Sequence, residues 1–210
     1  MQRELTGLIT SIKNAGESGR SIELFTAEGM VYLFAPGARK LNSRLLSLSR
    51  IYLLVRAECV ETQGFTRLSD GVVLADFSPF TQDAELFSMA VRSMNTIRVI
   101  LANTENPRSF YSLALLFMEQ LNGLFQETAS PFLFDALEVK LLIYLLALCD
   151  FDVPALSAQK AHYKPLQEVC ESLSGQTISR AMCEHSTFEK AGQVRRVLEE
   201  IYREQLEMQI

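Results

Sequence analysis

The hydrophobic pattern of the chain changes once, at Ser78-Pro79. Before that point apolar residues fall in short, partly alternating runs rich in β-branched and aromatic side chains. That is the pattern of half-buried strands. After it they recur every three or four residues, the pattern of helices with one buried face. A single switch of period predicts a multidomain α+β chain. Residues 1–79 form its β domain and 80–210 its helical domain.

Five runs read as strands: LTGLITSIKN, RSIELFTAEG, MVYLFAPG, IYLLVRAECV and FTRLSDGVVLADF. Ala15–Gly19, Glu28-Gly29 and Glu61–Gly64 supply the turns between them. A longer link, 37–49, separates the third strand from the fourth and has room for a helical turn. Five short strands with one long link predict a five-stranded Greek-key barrel of the OB-fold type.

The second part predicts an all-α bundle. Thr81 is the expected N-cap of a first helix, with Asp83 and Glu85 in its first turn. Its expected buried face carries Phe87, Ala90, Val91, Met94, Ile97 and Leu101. Asn106-Pro107 and Ser130-Pro131 each give a start signal, with Pro at the first helical position. The helix begun at Pro131 is apolar on nearly every side through Cys149, so it belongs at the centre of the bundle. Residues 150–161 read as loop, 163–173 and 176–184 as short helices, and 188–208 as a last helix. The stripe of that last helix is Ala191, Val194, Val197, Leu198, Ile201 and Leu206.

Neither part contains a recognisable reaction centre. Walker, dinucleotide-binding, H-E-x-x-H and nucleophile-elbow sequences are all absent. The four cysteines, Cys59, Cys149, Cys170 and Cys183, are far apart and form no C-x-x-C pair. They read as reduced thiols of a cytosolic protein. Cys183 and His185 are the one close Cys/His pair. They lack the four ligands of a zinc site and the electropositive setting of a catalytic thiol. Asp150 reads as a turn residue. No enzyme, metal or cofactor is expected. The most apolar stretch, LLIYLLALC, is far shorter than the roughly 20 residues that span a bilayer. No secretory signal is legible, so a soluble, cytoplasmic protein is expected.

Charge supplies the one positive lead. The chain carries a net −5, yet residues 1–80 hold nine Lys and Arg against eight Asp and Glu. The window Ala35–Glu58 contains Arg39, Lys40, Arg44, Arg50 and Arg56 and no acid before Glu58. Cations on a barrel rim attract phosphates by releasing condensed counterions. Rings beside them stack unpaired bases. Phe25, Tyr32, Phe34, Tyr52 and Phe65 are the rings available. Tyr52 shares strand parity with Arg50 and Arg56 and is the expected stacking residue. Read without further context, the same bases are also compatible with an ordinary solvated surface, and the rings with core.

The segment LFT-x-E-G (Leu24, Phe25, Thr26, Glu28, Gly29) resembles the bacterial recombination mediator family RecO. Gly37-Ala38-Arg39-Lys40 followed by Ser43-Arg44-Leu45 adds to the resemblance. It covers about 1–150 in order and spacing. Without C-x-x-C pairs, the chain is similar to the zinc-free members. The resemblance implies an N-terminal OB-fold and a C-terminal helical domain. It implies binding of single- and double-stranded DNA, strand annealing, and work with RecR, single-stranded-DNA-binding protein and RecA in gap repair. It also implies an apolar pocket with a basic rim for that protein's acidic tail. Arg92, Arg98, Arg108, Lys140, Lys160 and Lys164 are the bases from which such a rim would be drawn. A protein-interaction scaffold on the same fold, with little DNA binding of its own, is the alternative.

Overall fold

The structure is a computed structural model that describes residues 2–62, 64–102, 104, 106–126, 131–174, 176 and 191–207. Five strands come first: β1 (Gln2–Ala15), β2 (Gly19–Thr26), β3 (Gly29–Ala35), β4 (Leu53–Thr62) and β5 (Phe65–Asp76). Six helices follow among the described residues. They are α1 (Ala84–Leu101), α2 (Pro107–Gln126), α3 (Pro131–Leu148), α4 (Val153–Ser157), α5 (Lys164–Leu173) and α6 (Ala191–Leu206).

The strands pair in the order β1-β2-β3-β5-β4, and β4 returns to β1, so the sheet closes on itself. Every pairing is antiparallel except the short β3–β5 seam, where Leu33 lies beside Thr66 and Phe34 beside Arg67. Alternation sends Leu5, Ile9, Ile22, Leu24, Leu33, Val55, Ala57 and Leu68 inward into one core. Closure needs strong curvature, and three bulges supply it. The β1–β2 register slips between Ile9 and Ser11, and the β4–β5 register between Leu54 and Val55 and between Glu58 and Cys59. The long link holds a 3-10 turn at Arg44–Leu46, capped by the Ser43 side chain. It sends Leu45 and Leu48 into the core.

The chain divides into two compact units, Met1–Pro79 with Glu105–Leu115, and Phe80–Thr104 with Leu116–Ile210. The start of α2 therefore belongs with the sheet. Tyr111 packs edge-on against Phe25 with ring centroids 5.4 Å apart. That contact explains why Phe25, on the outward side of β2, is fully buried.

In the second unit α3 is central, with α1, α4 and α6 around it. Its Val139 and Leu141–Leu146 are buried with no polar face, as the sequence requires. Three local expectations are corrected. The cap of α1 is Asp83, whose carboxylate accepts from the amides of Glu85 and Leu86; Thr81 lies in a preceding 3-10 turn. The buried face of α1 is Leu86, Met89, Ala90, Ser93, Met94, Thr96, Ile97 and Ile100, which leaves Phe87 and Val91 exposed. The stretch 150–161 is not all loop, since Asp152 caps α4 with Pro154 in its first turn. The helix expected at 176–184 and the pair Cys183/His185 lie outside the described residues.

Candidate nucleic-acid interface

The five bases of the cationic window do not share one environment. Arg39 and Lys40 sit on a tight turn after β3, where Gly37 takes φ +67° and accepts from the Lys40 amide at 2.9 Å. The Arg39 amide donates to the Ser18 carbonyl at 2.9 Å, which ties this turn to the β1–β2 turn. Both side chains are exposed, and neither makes an ion pair among the described residues.

The other three bases each face a carboxylate. Arg50 donates to Asp76 at 3.0 Å. Asp76 also accepts from the Ser78 amide and hydroxyl, at 2.9 and 2.6 Å. Against the upward push of burial, those bonds and Arg50 hold its carboxyl below the usual range. Arg56 on β4 lies 3.7 Å from Glu4 on β1, and Arg44, 88 % exposed, reaches Asp70 at 4.0 Å. Such surface pairs contribute little to stability, about 0–1 kcal/mol each. They do cancel local positive potential, and a count of acids along the window misses them because the partners come from other strands.

Tyr52 is a correction. It is 2 % exposed, so its ring has no face for a base. It also precedes β4, with φ +62°. Its amide donates to Ile9 at 2.7 Å, and its carbonyl accepts from Phe77 at 3.0 Å. A residue in the left-handed region breaks strand alternation, so the shared parity of Arg50, Tyr52 and Arg56 has no geometric meaning.

The exposed rings lie at the β3–β5 seam instead. Tyr32 is 63 % and Phe65 52 % exposed. Phe34, half-buried, meets Phe65 edge-on at 6.0 Å and 89°. Gly19 makes room for it, because a Cβ there would lie 2.8 Å from the Phe34 ring. Cross-strand register puts Lys13, Ser21, Phe34 and Arg67 in one row over β1, β2, β3 and β5. Ser11, Glu23 and Tyr32 form the adjoining row. Lys13 and Arg67 are exposed and make no ion pair among the described residues. Glu23, beside Tyr32, is buried and takes a 2.7 Å bond from Thr10. Sequence reading named the rings but not Lys13 or Arg67. Correct strand pairing was the signal needed to find those two, since each stands alone in its own strand.

Other groups are less available. A cleft of about 220 Å³ between β1, β4 and β5 is lined by Gln2, Arg3, Glu4, Glu58, Cys59 and Ser69. Burial pushes the Cys59 thiol up to about 11, so it is protonated at neutral pH. Of the bases considered for a pocket rim, Arg92 is paired with Glu138 and Lys160 with Glu200 and Glu204, while Lys140 is buried. Among the described residues no group of three metal-ligating side chains converges, and no helix is long and apolar enough to cross a membrane.

No family model matches the chain, and no curated protein matches it significantly.

Proposed function

We propose that this chain is a non-enzymatic DNA-binding mediator of the RecO type, built on an N-terminal OB-fold. Several features support the reading. A five-stranded sheet that closes on itself with a single parallel seam supports the OB-fold reading, and a helical part follows it. OB-folds hold oligonucleotides on the face of strands 2 and 3 and with the loops joining strands 1–2 and 4–5. Here Arg39 is anchored on the first of those loops, Phe65 follows the second, and Tyr32 and Phe34 lie on the face between.

The observation that carries the proposal is the placement of four cations that make no ion pair among the described residues, Lys13, Arg39, Lys40 and Arg67, beside exposed rings. They neutralise phosphates, and so lower the repulsion between two strands brought together for annealing. Nothing in this step needs a nucleotide. RecR, single-stranded-DNA-binding protein and RecA are the partners the reading assigns, with the helical part as a docking surface and the cytoplasm as the place of action.

The test is salt-dependent binding of a labelled single-stranded oligonucleotide. Log affinity falls linearly with log salt, and Arg39→Ala with Lys40→Ala reduces the slope by about 1.4, two phosphates at about 0.7 each. Arg44→Ala, Arg50→Ala and Arg56→Ala, whose charges are already balanced, change it less. A second reading, a protein-interaction scaffold, is favoured by the pairing of those three arginines with Asp70, Asp76 and Glu4. No binding at low salt would leave the scaffold alone.

A further inference from the structure

We infer that Tyr32 and Phe65 form a stacking platform for unpaired bases, and that this platform makes the sheet select single-stranded over duplex DNA. The inference rests on the DNA-binding reading and adds to it the determinant of strand state.

Single exposed apolar residues are ordinary on any protein surface. These two are not single. Leu33 pairs with Thr66 across the parallel seam, so Tyr32 and Phe65, each one step before that pair, point to the same outward face. Both rings are more than half exposed, and the edge of Phe34 braces that of Phe65. Phe34 in turn lies across Gly19, whose neighbour Ser18 anchors the Arg39 amide. Rings and basic turn are thus parts of one continuous surface.

The flanking charges identify the occupant as a polyanion. Lys13 and Arg67 end the row that crosses Phe34, three strand spacings or about 14 Å apart. That separation exceeds one nucleotide step, so the two cations meet different phosphates of one strand. A positive groove with aromatic rings in it is how sequence-tolerant single-strand sites are built. Acidic peptides satisfy the cations and leave the rings idle. Duplex DNA also satisfies the cations, but its base faces are hidden in the stack. Only an unpaired strand uses both.

Tyr32→Ala combined with Phe65→Ala should lower affinity for an oligo(dT) strand about tenfold or more, at stacking energies typical of such sites. Affinity for a duplex of equal length should stay within about twofold. Tyr32→Phe with Phe65→Tyr, which keeps both rings, retains wild-type preference. Because the chain has no tryptophan, Tyr32→Trp provides a single reporter. Its emission should be quenched by oligo(dT) and left unchanged by duplex DNA or by a poly-Glu peptide. Equal losses for single strand and duplex, unchanged oligo(dT) affinity without the rings, or equal quenching by all three probes would each overturn the platform while leaving phosphate binding intact. Failure of the unaltered protein to bind any DNA removes the underlying reading, and the platform with it.

Discussion

Tyr52 occupies a backbone conformation that costs a non-glycine residue about 1–3 kcal/mol. Two backbone hydrogen bonds and complete burial of the ring hold it there. Its role is therefore to lock the entrance of β4 onto β1 and onto Phe77. Tyr52→Ala should destabilise the fold by about 3–5 kcal/mol, the usual loss for a large buried ring. Urea unfolding measures that loss. At temperatures where the variant remains folded, its salt slope for oligonucleotide binding should equal that of the wild type. A flatter slope would restore Tyr52 to the interface. The sequence gives no sign of this conformation, because positive φ is usually marked by Gly, Asn or Asp. Parity counted through such a residue assigns the wrong face. The hairpin glycines Gly29 and Gly37 are the contrast, since both carry positive φ and both are legible as turns.

At the scale of elements, α3 shows how far hydrophobic pattern reaches. Its uniform apolarity identifies the central helix without any structure. The pattern does not show that Glu138, whose side chain is 4 % exposed, survives in the middle of it. Arg92 from α1 reaches its two oxygens at 3.1 and 3.2 Å, and Arg195 from α6 reaches one at 3.1 Å. The partners lie 46 and 57 residues away in sequence, a separation no local window can register. A buried carboxylate shared by two arginines fixes the register of three helices more than it raises stability. Removing one arginine leaves Glu138 a partner, whereas removing Glu138 leaves two guanidinium groups facing each other. Glu138→Ala should thus cost about 3 kcal/mol, and Arg92→Met or Arg195→Met clearly less. Chemical denaturation of the three variants checks the order, and equal losses would contradict it. The buried face of α1 departs from its apolar pattern for a related reason. Phe87 and Val91 are apolar, but Ser93 and Thr96 take the buried positions, with the Thr96 hydroxyl bonded to the Arg92 carbonyl.

For the molecule as a whole, the excess of acids over bases sets how it responds to pH. Of the 25 Asp and Glu, 17 fall in residues 81–210. Net composition suggests simple self-repulsion there, but the structure shows some of that charge organised. Lys160 donates to Glu200 at 2.6 Å and to Glu204 at 2.7 Å, and His162 lies 2.9 Å from Glu200, clasping α6 to the turn before α5. Hydrogen bonds from Lys160 and then His162 draw the Glu200 carboxyl from 4.5 down to about 2, and the bonds to Glu200 and then Glu204 raise Lys160 above its ordinary 10.5. A carboxyl depressed by folding stabilises the native state fully above its unfolded value, and the contribution fades as pH falls through the folded value. The lysine works in the opposite sense: its contribution is whole below 10.5 and fades as pH rises past it. The clasp therefore acts across the neutral range and fails at both ends, by an amount that solvent screening keeps small at so open a site. Lys160→Met removes the main cause of the Glu200 shift. The stability difference between wild type and this variant should be flat from about pH 5 to 9 and shrink as the pH falls from about 4.5 towards 2. Thermal unfolding measured across that range tests it. A difference that is constant down to pH 2, or that grows in acid, would mean that Lys160 contributes through packing on the Tyr163 ring, 5.0 Å from its ammonium, and not through the carboxylates.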